Sequence, residues 1–282
     1  MAGRFSRSLE LARASWSVVQ ADKELMWFPV MSFIALVLIL GSVAAPVVVV
    51  GGLGPETAAE PSPASWLAVL AFYILAYFIG LFFNTALVGA AMIRLDGGNP
   101  TVGDGLRIAW SRVGRIFGYA CIAATVGMFL RALEDRVGWI GTIIVKLIGV
   151  AWALATFLVV PVLVTRDVGP LDAVKESAVL LKETWGENII GNVGLSFAFG
   201  VAYFGLLVVC GVAIGLAIQA NLPAVIAALV LVGVVSFLLL ATLQATMQGV
   251  YSAALYRHAT HSGTPVPGFG PGLLQAAFKP KG

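Results

Sequence analysis

Few residues in this 282-residue chain could do chemistry, since only 11% of it is charged. Lys146 is an ionisable residue set about eight positions, or about 12 Å, inside a long apolar run. A charge at mid-bilayer costs about 2.5–3.5 kcal/mol on insertion scales, so it must be paired, reach an interface or serve a ligand. Two readings are open: the stem snorkels outward to Glu134 or Asp135, or the ammonium binds an anionic ligand in a central cavity. Gln244 and Gln248 share one helical face at i and i+4, and with Asn84 they could line a polar cavity. The rival reading is helix-to-helix hydrogen bonding, at about 0.6–2 kcal/mol each, which also suits Thr85, Asn188, Asn192, Gln219 and Thr246.

The remaining chemistry is thin. His258 and His261 have a metal-compatible spacing but no third ligand. Cys121 and Cys210 sit in apolar runs and read as small apolar side chains, not as a disulfide framework. No phosphate-binding GxxxxGK[ST], nucleophile elbow, HExxH or CxxC occurs, and no Asp or Glu lies well inside an apolar run. The second absence disfavours proton or ion coupling through intramembrane carboxylates. Together these features predict a protein that is not an enzyme and takes no cofactor and no metal.

The elements that must position Lys146 and the amides are set by composition. Hydrophobic residues make up 60% of the chain and the mean hydropathy is +0.97. A soluble domain runs at about 45–50% apolar and about 25% charged, so a soluble enzyme, a disordered protein and a nucleic-acid-binding domain are all excluded. The fold class is therefore all-α, a polytopic integral membrane protein. About 20 apolar residues are needed to cross the hydrocarbon. Six segments qualify: 28–50, 66–93, 116–130, 138–164, 189–218 and 222–256. The third spans only if Arg115 and Arg131 lie in the two interfaces. The first comes after about 27 mostly polar residues, unlike a signal peptide, and is expected to be retained. Of the 17 lysines and arginines, 14 fall on one side of these spans and only Arg131 and Arg136 on the other. That asymmetry predicts cytoplasmic termini in a prokaryotic inner membrane, and short outer turns predict three hairpins.

Three cytoplasmic segments precede the hairpins. Phe5, Leu9, Ala12, Trp16 and Val19 form one apolar stripe; Val102, Leu106, Ala109, Val113 and Phe117 a second, beside Trp110; Leu171, Val174, Ala178, Leu181 and Trp185 a third. Each reads as an amphipathic helix in the headgroup region, with Trp16, Trp110 and Trp185 as anchors. Their entries agree too, Asp96-Gly97-Gly98-Asn99-Pro100 before Asp104 and Asp167-Val168-Gly169-Pro170 before Asp172. The pattern reads as three repeats, about 4–94, 100–166 and 170–258, within one membrane domain over 1–258; turns shared by all helical membrane proteins are the rival account. Gly211 and Gly215 form a GxxxG suited to close helix packing. A Pro/Gly-rich tail over 259–282 either lies on the inner surface or docks as an incomplete fourth interfacial helix.

The opening Phe5-Ser6-Arg7-Ser8-Leu9, the Ala14-Ser15-Trp16 and Asp22-Lys23-Glu24-Leu25 that come after it, Phe28-Pro29, the region from Tyr251 to Arg257, Gly268-Phe269 and the stretch from Leu274 to Lys279 resemble a family of uncharacterised prokaryotic six-span membrane proteins, the domain of unknown function numbered six-one-five-nine. More distantly, the alternation of interfacial helix and hairpin is similar to the membrane domain of some glycerophosphodiester phosphodiesterases. Their chemistry does not transfer, because the soluble barrel with its acidic metal ligands is missing here. Neither resemblance implies a catalytic residue. The expected partners are membrane lipids and a membrane protein, with no nucleic acid. The expected role is non-enzymatic, with contact to lipid or a partner at the cytoplasmic face; the alternative is a permease or channel for a small solute.

Overall fold

Long apolar runs become long helices here because a helix satisfies every backbone polar group within its own segment, as a hydrocarbon environment demands. A computed structural model describes residues 13–51, 63–185 and 193–260. Among them every regular element is helical. Helix α1 covers 13–21 and is succeeded by a 3-10 turn, Lys23–Met26, capped by Asp22. Then come α2 (Trp27–Gly51), α3 (Pro63–Leu95), α4 (Val102–Ser111), α5 (Val113–Glu134), α6 (Trp139–Ala155), α7 (Val159–Thr165), α8 (Pro170–Trp185), α9 (Val193–Gln219) and α10 (Pro223–Thr260). Among the described residues six stretches are long and apolar enough to cross a membrane: Lys23–Ser42, Val69–Leu95, Val113–Glu134, Trp139–Thr165, Ala198–Gln219 and Pro223–Thr260.

Local chemistry sets the boundaries. Helix α3 stops where Gly97 takes φ of 86°, a left-handed conformation that glycine adopts without a Cβ penalty. The turn lets the Gly97 and Gly98 N–H groups donate to Arg94 and Ile93 carbonyls, at 3.0 and 2.9 Å. Helix α4 then starts on a capping box: Thr101 Oγ1 accepts from Asp104 N–H at 3.2 Å, and Asp104 Oδ2 accepts from Thr101 N–H at 3.0 Å. Between α9 and α10, Asn221 takes φ of 52°, and Pro223 opens the next helix where its missing N–H is no loss.

Helix α3 is the hub, packed against α2, α4, α5, α7 and α10. Contact with α4 depends on Gly105. A methyl group there would come within 2.6 Å of the Ala86 carbonyl oxygen and 2.5 Å of Phe28 Cζ. The core lies at this end of the bundle, where Leu25, Phe28, Leu87, Leu95, Ile116, Leu163 and Leu255 are fully buried. Helix α9 packs chiefly on α10, with Cys210 facing Gly233 and the Tyr203 and Phe237 rings 5.0 Å apart. Leu207, Leu216, Leu231 and Leu239 on this pair are exposed, an exterior that suits hydrocarbon. Gly211 and Gly215, expected from sequence to admit a neighbouring helix, have open space beside them; α9 turns its Cys210 face to α10 instead.

Two sequence expectations change in the structure. The segment over 138–164 is not one continuous helix, because residues 156–158 form a turn between α6 and α7. Pro161 supplies the reason: its ring lacks an N–H and clashes with the carbonyl four residues earlier, that of Phe157. The freed Leu158 N–H donates to Ser177 Oγ of α8 at 3.0 Å. The second stripe is also divided. Arg112 leaves helical geometry at φ −112° and ψ 9°, so Val113 and Phe117 belong to the long helix α5.

Candidate functional site

A cavity of about 630 Å³ opens between α2, α3, α10 and the turn before α7. The first turns of α2 contribute Pro29, Ser32, Phe33 and Leu36; α3 contributes Gly80, Phe83, Asn84 and Leu87. Phe157 and Val160 come from the interruption of the fourth span. Helix α10 supplies the longest wall, from Val235 through Thr242, Ala245 and Gln248 to Ser252. The walls are mainly apolar, and no lining residue among those described is charged. Asn84 lies eleven residues before Leu95 and Gln248 nine before Arg257, so both amides sit about 13–16 Å below the charged end of the bundle. Two helices carry them toward one site because α3 and α10 touch closely at Gly249, where a methyl group would lie 2.5 Å from Leu87 Cδ2.

The structure thus brings Asn84 and Gln248 to one cavity. Gln244, one turn away, is half-buried and lies outside the cavity lining. Lys146 is elsewhere, exposed on α6 with its Nζ 3.4 Å from Glu134 Oε1. Trp16 and Trp110 are exposed, Trp110 to 70%, with its ring edge-on to Phe82 at 5.9 Å. The Trp185 side chain, Asn188, Asn192, His261 and the tail from 261 lie outside the described residues. Among the described residues no three His, Cys, Asp or Glu side chains cluster as metal ligands do.

At the end that carries most of the basic residues, ion pairs tie separate loops together. Arg257 Nη1 meets Asp96 Oδ1 at 2.8 Å and also donates to the Leu95 carbonyl, joining the ends of α10 and α3. Asp167 accepts from Arg115, and from Arg112 at 2.7 Å. Those hydrogen bonds and charges hold its carboxyl below the ordinary carboxylate range. Arg166 pairs with Glu176 of α8 at 2.7 Å and donates to the Tyr256 hydroxyl at 3.3 Å. Glu24 accepts from the Val102 N–H at 3.0 Å, fastening the entry of α4 to the start of α2. Asp104 is held low by its bonds to Thr101, whereas burial pushes Asp22 up.

Sequence reasoning missed the hydroxyls of Ser32, Thr242 and Ser252 in the cavity wall, as well as Ser177. Pro161 was a legible signal for the interruption; nothing in the sequence marked which hydroxyl would seal it.

A protein-family model described as a family of unknown function, DUF6159, matches residues 63–266. The chain belongs to that family. The DUF6159 match covers all of the cavity's α3, α7 and α10 walls, while α2 precedes it. No curated protein and no solved structure matches the chain, so the distant similarity to the phosphodiesterase membrane domain gains no support from these comparisons.

Proposed function

We propose that this chain is a non-enzymatic, multi-pass protein of a prokaryotic inner membrane that takes a membrane lipid into the cavity between α2, α3 and α10. In this reading the spans pair as three hairpins, the short helices α1, α4 and α8 lie in the cytoplasmic headgroup region, and both termini are cytoplasmic. The excess of basic residues at that end supports the orientation, and exposed Trp16 and Trp110 suit an interface. The observation that carries the lipid reading is the cavity itself, about 630 Å³ with mainly apolar walls, within the range of about 300–1,000 Å³ typical of ligand pockets. Gly80 lines it with open space where a side chain would project, so Gly80→Leu fills the cavity without disturbing its frame. Native mass spectrometry after gentle extraction is expected to show lipid retained on the native chain and lost from the variant. Equal lipid occupancy in both would overturn the reading.

The interruption between α6 and α7 favours a second reading, a permease or channel for a small solute passing Asn84 and Gln248, because broken helices border transport sites. Faster efflux of glycerol from proteoliposomes containing the native chain than from ones containing Gly80→Leu would select it over lipid binding.

A further inference from the structure

The selectivity of the cavity, which rests on its holding lipid at all, is set by its polar groups. They are Ser32, Asn84, Thr242, Gln248 and Ser252, all uncharged. The Ser252 hydroxyl is committed to the Gly249 carbonyl at 2.9 Å. Among the described residues, neither the Asn84 nor the Gln248 amide has a hydrogen-bond partner. An amide presents both a donor and an acceptor. Asn84 is exposed and Gln248 half-buried, so both amides are open to the cavity.

A charged headgroup does not fit this lining. It would sit about 13–16 Å below the ionic end. The cations nearest that end of α10 are already engaged, Arg257 with Asp96 and Arg166 with Glu176. An unpaired ion at such depth is costly, whereas a hydroxyl or carbonyl accepts a hydrogen bond and a hydroxyl also donates one. We propose that the cavity selects an uncharged, hydroxyl- or carbonyl-bearing lipid, its polar group held by Asn84 and Gln248 and its chain lying along α2 and α10, in preference to any carboxylate or phosphate lipid.

Three probes with one tail separate the possibilities: dodecane, dodecanol and dodecanoate, offered to the full chain in amphipol at about pH 8, where a carboxylic acid is ionised. The expected order has dodecanol bound about tenfold tighter than dodecanoate. The near-isosteric double variant Asn84→Leu with Gln248→Met is expected to lower dodecanol affinity about tenfold while leaving dodecane within about twofold, which also serves as the folding control. Dodecanoate bound as tightly as dodecanol, or dodecanol binding indifferent to the double variant, overturns the selection while leaving the lipid reading standing. Binding of none of the three overturns both.

Discussion

Asp22 shows how much a single carboxylate depends on its surroundings. Its Oδ1 accepts from the Glu24 N–H at 3.2 Å and so caps the 3-10 turn before α2, but the side chain is only 6% exposed. Among the described residues its Oδ2 has no partner, and neither does Ser15 Oγ seven positions back in α1. Burial raises its pKa, against the pull of the Glu24 N–H and of Arg94. A raised value in the fold means that the ionised form is destabilising; the penalty is fully present above the folded pKa and is relieved as pH falls through it. Asp167 has the opposite sign. Its depressed value makes its stabilisation present above the ordinary carboxylate range and lost as pH falls below it. Asp22→Asn retains the Oδ1 acceptor and removes the charge. It is expected to raise stability at neutral pH by up to about 1 kcal/mol, with the gain shrinking on acidification. Thermal unfolding of the detergent-solubilised chain across the acid range measures this; a variant weaker than the native chain at neutral pH would show that attraction to Arg94 outweighs burial. Of such residue-level facts the sequence disclosed identities and spacing. Lys146 was legible as a residue needing an exit, with Glu134 among its candidates, but which carboxylate it meets is a matter of how α5 and α6 pack.

The elements show where periodicity stops being sufficient. Apolar length alone located the long helices, because a helix that crosses hydrocarbon must be apolar over about 20 residues. The finer expectations were stripes, and stripes describe hydrophobicity, not contact. On α8 the fully buried residues are Ala173 and Ser177, with Leu181 nearly so, while Leu171, first in the expected stripe, is 62% exposed. Small residues occupy the contact because α8 must come close enough for Ser177 to reach the interrupted backbone at Leu158. Ser177→Ala removes that acceptor in a buried place. It is expected to destabilise the chain by about 1–3 kcal/mol, and Ser177→Thr, which keeps a hydroxyl, by less, measured by unfolding in mixed detergent. An alanine variant as stable as the native chain would mean that the Leu158 N–H finds another acceptor.

For the molecule as a whole, ion pairs bind loop to loop at one end, and the hydrogen bond from Arg166 to the Tyr256 hydroxyl joins the two sets, so that the exits of α3, α7 and α10, the start of α5 and Glu176 of α8 form one platform. If that platform faces the cytoplasm, a cell-impermeant maleimide applied to intact cells is expected to label Arg136→Cys and to spare Arg107→Cys, in a background where Cys121 and Cys210 are replaced. The reverse pattern would invert the orientation. By itself the sequence determined the fold class and the helices long and apolar enough to cross a membrane, since these come from transfer free energies summed along the chain. Tertiary structure alone decided that Asn84 joins Gln248 without Gln244, that Lys146 stands apart, that Ser177 seals the break Pro161 makes in the fourth span, and that a cavity is left between the helices. Those outcomes rest on contacts between residues far apart in the chain, Gly105 on Ala86, Gly249 on Leu87 and Ser177 on Leu158. Their energies come from close approach, which hydropathy and helical period do not encode.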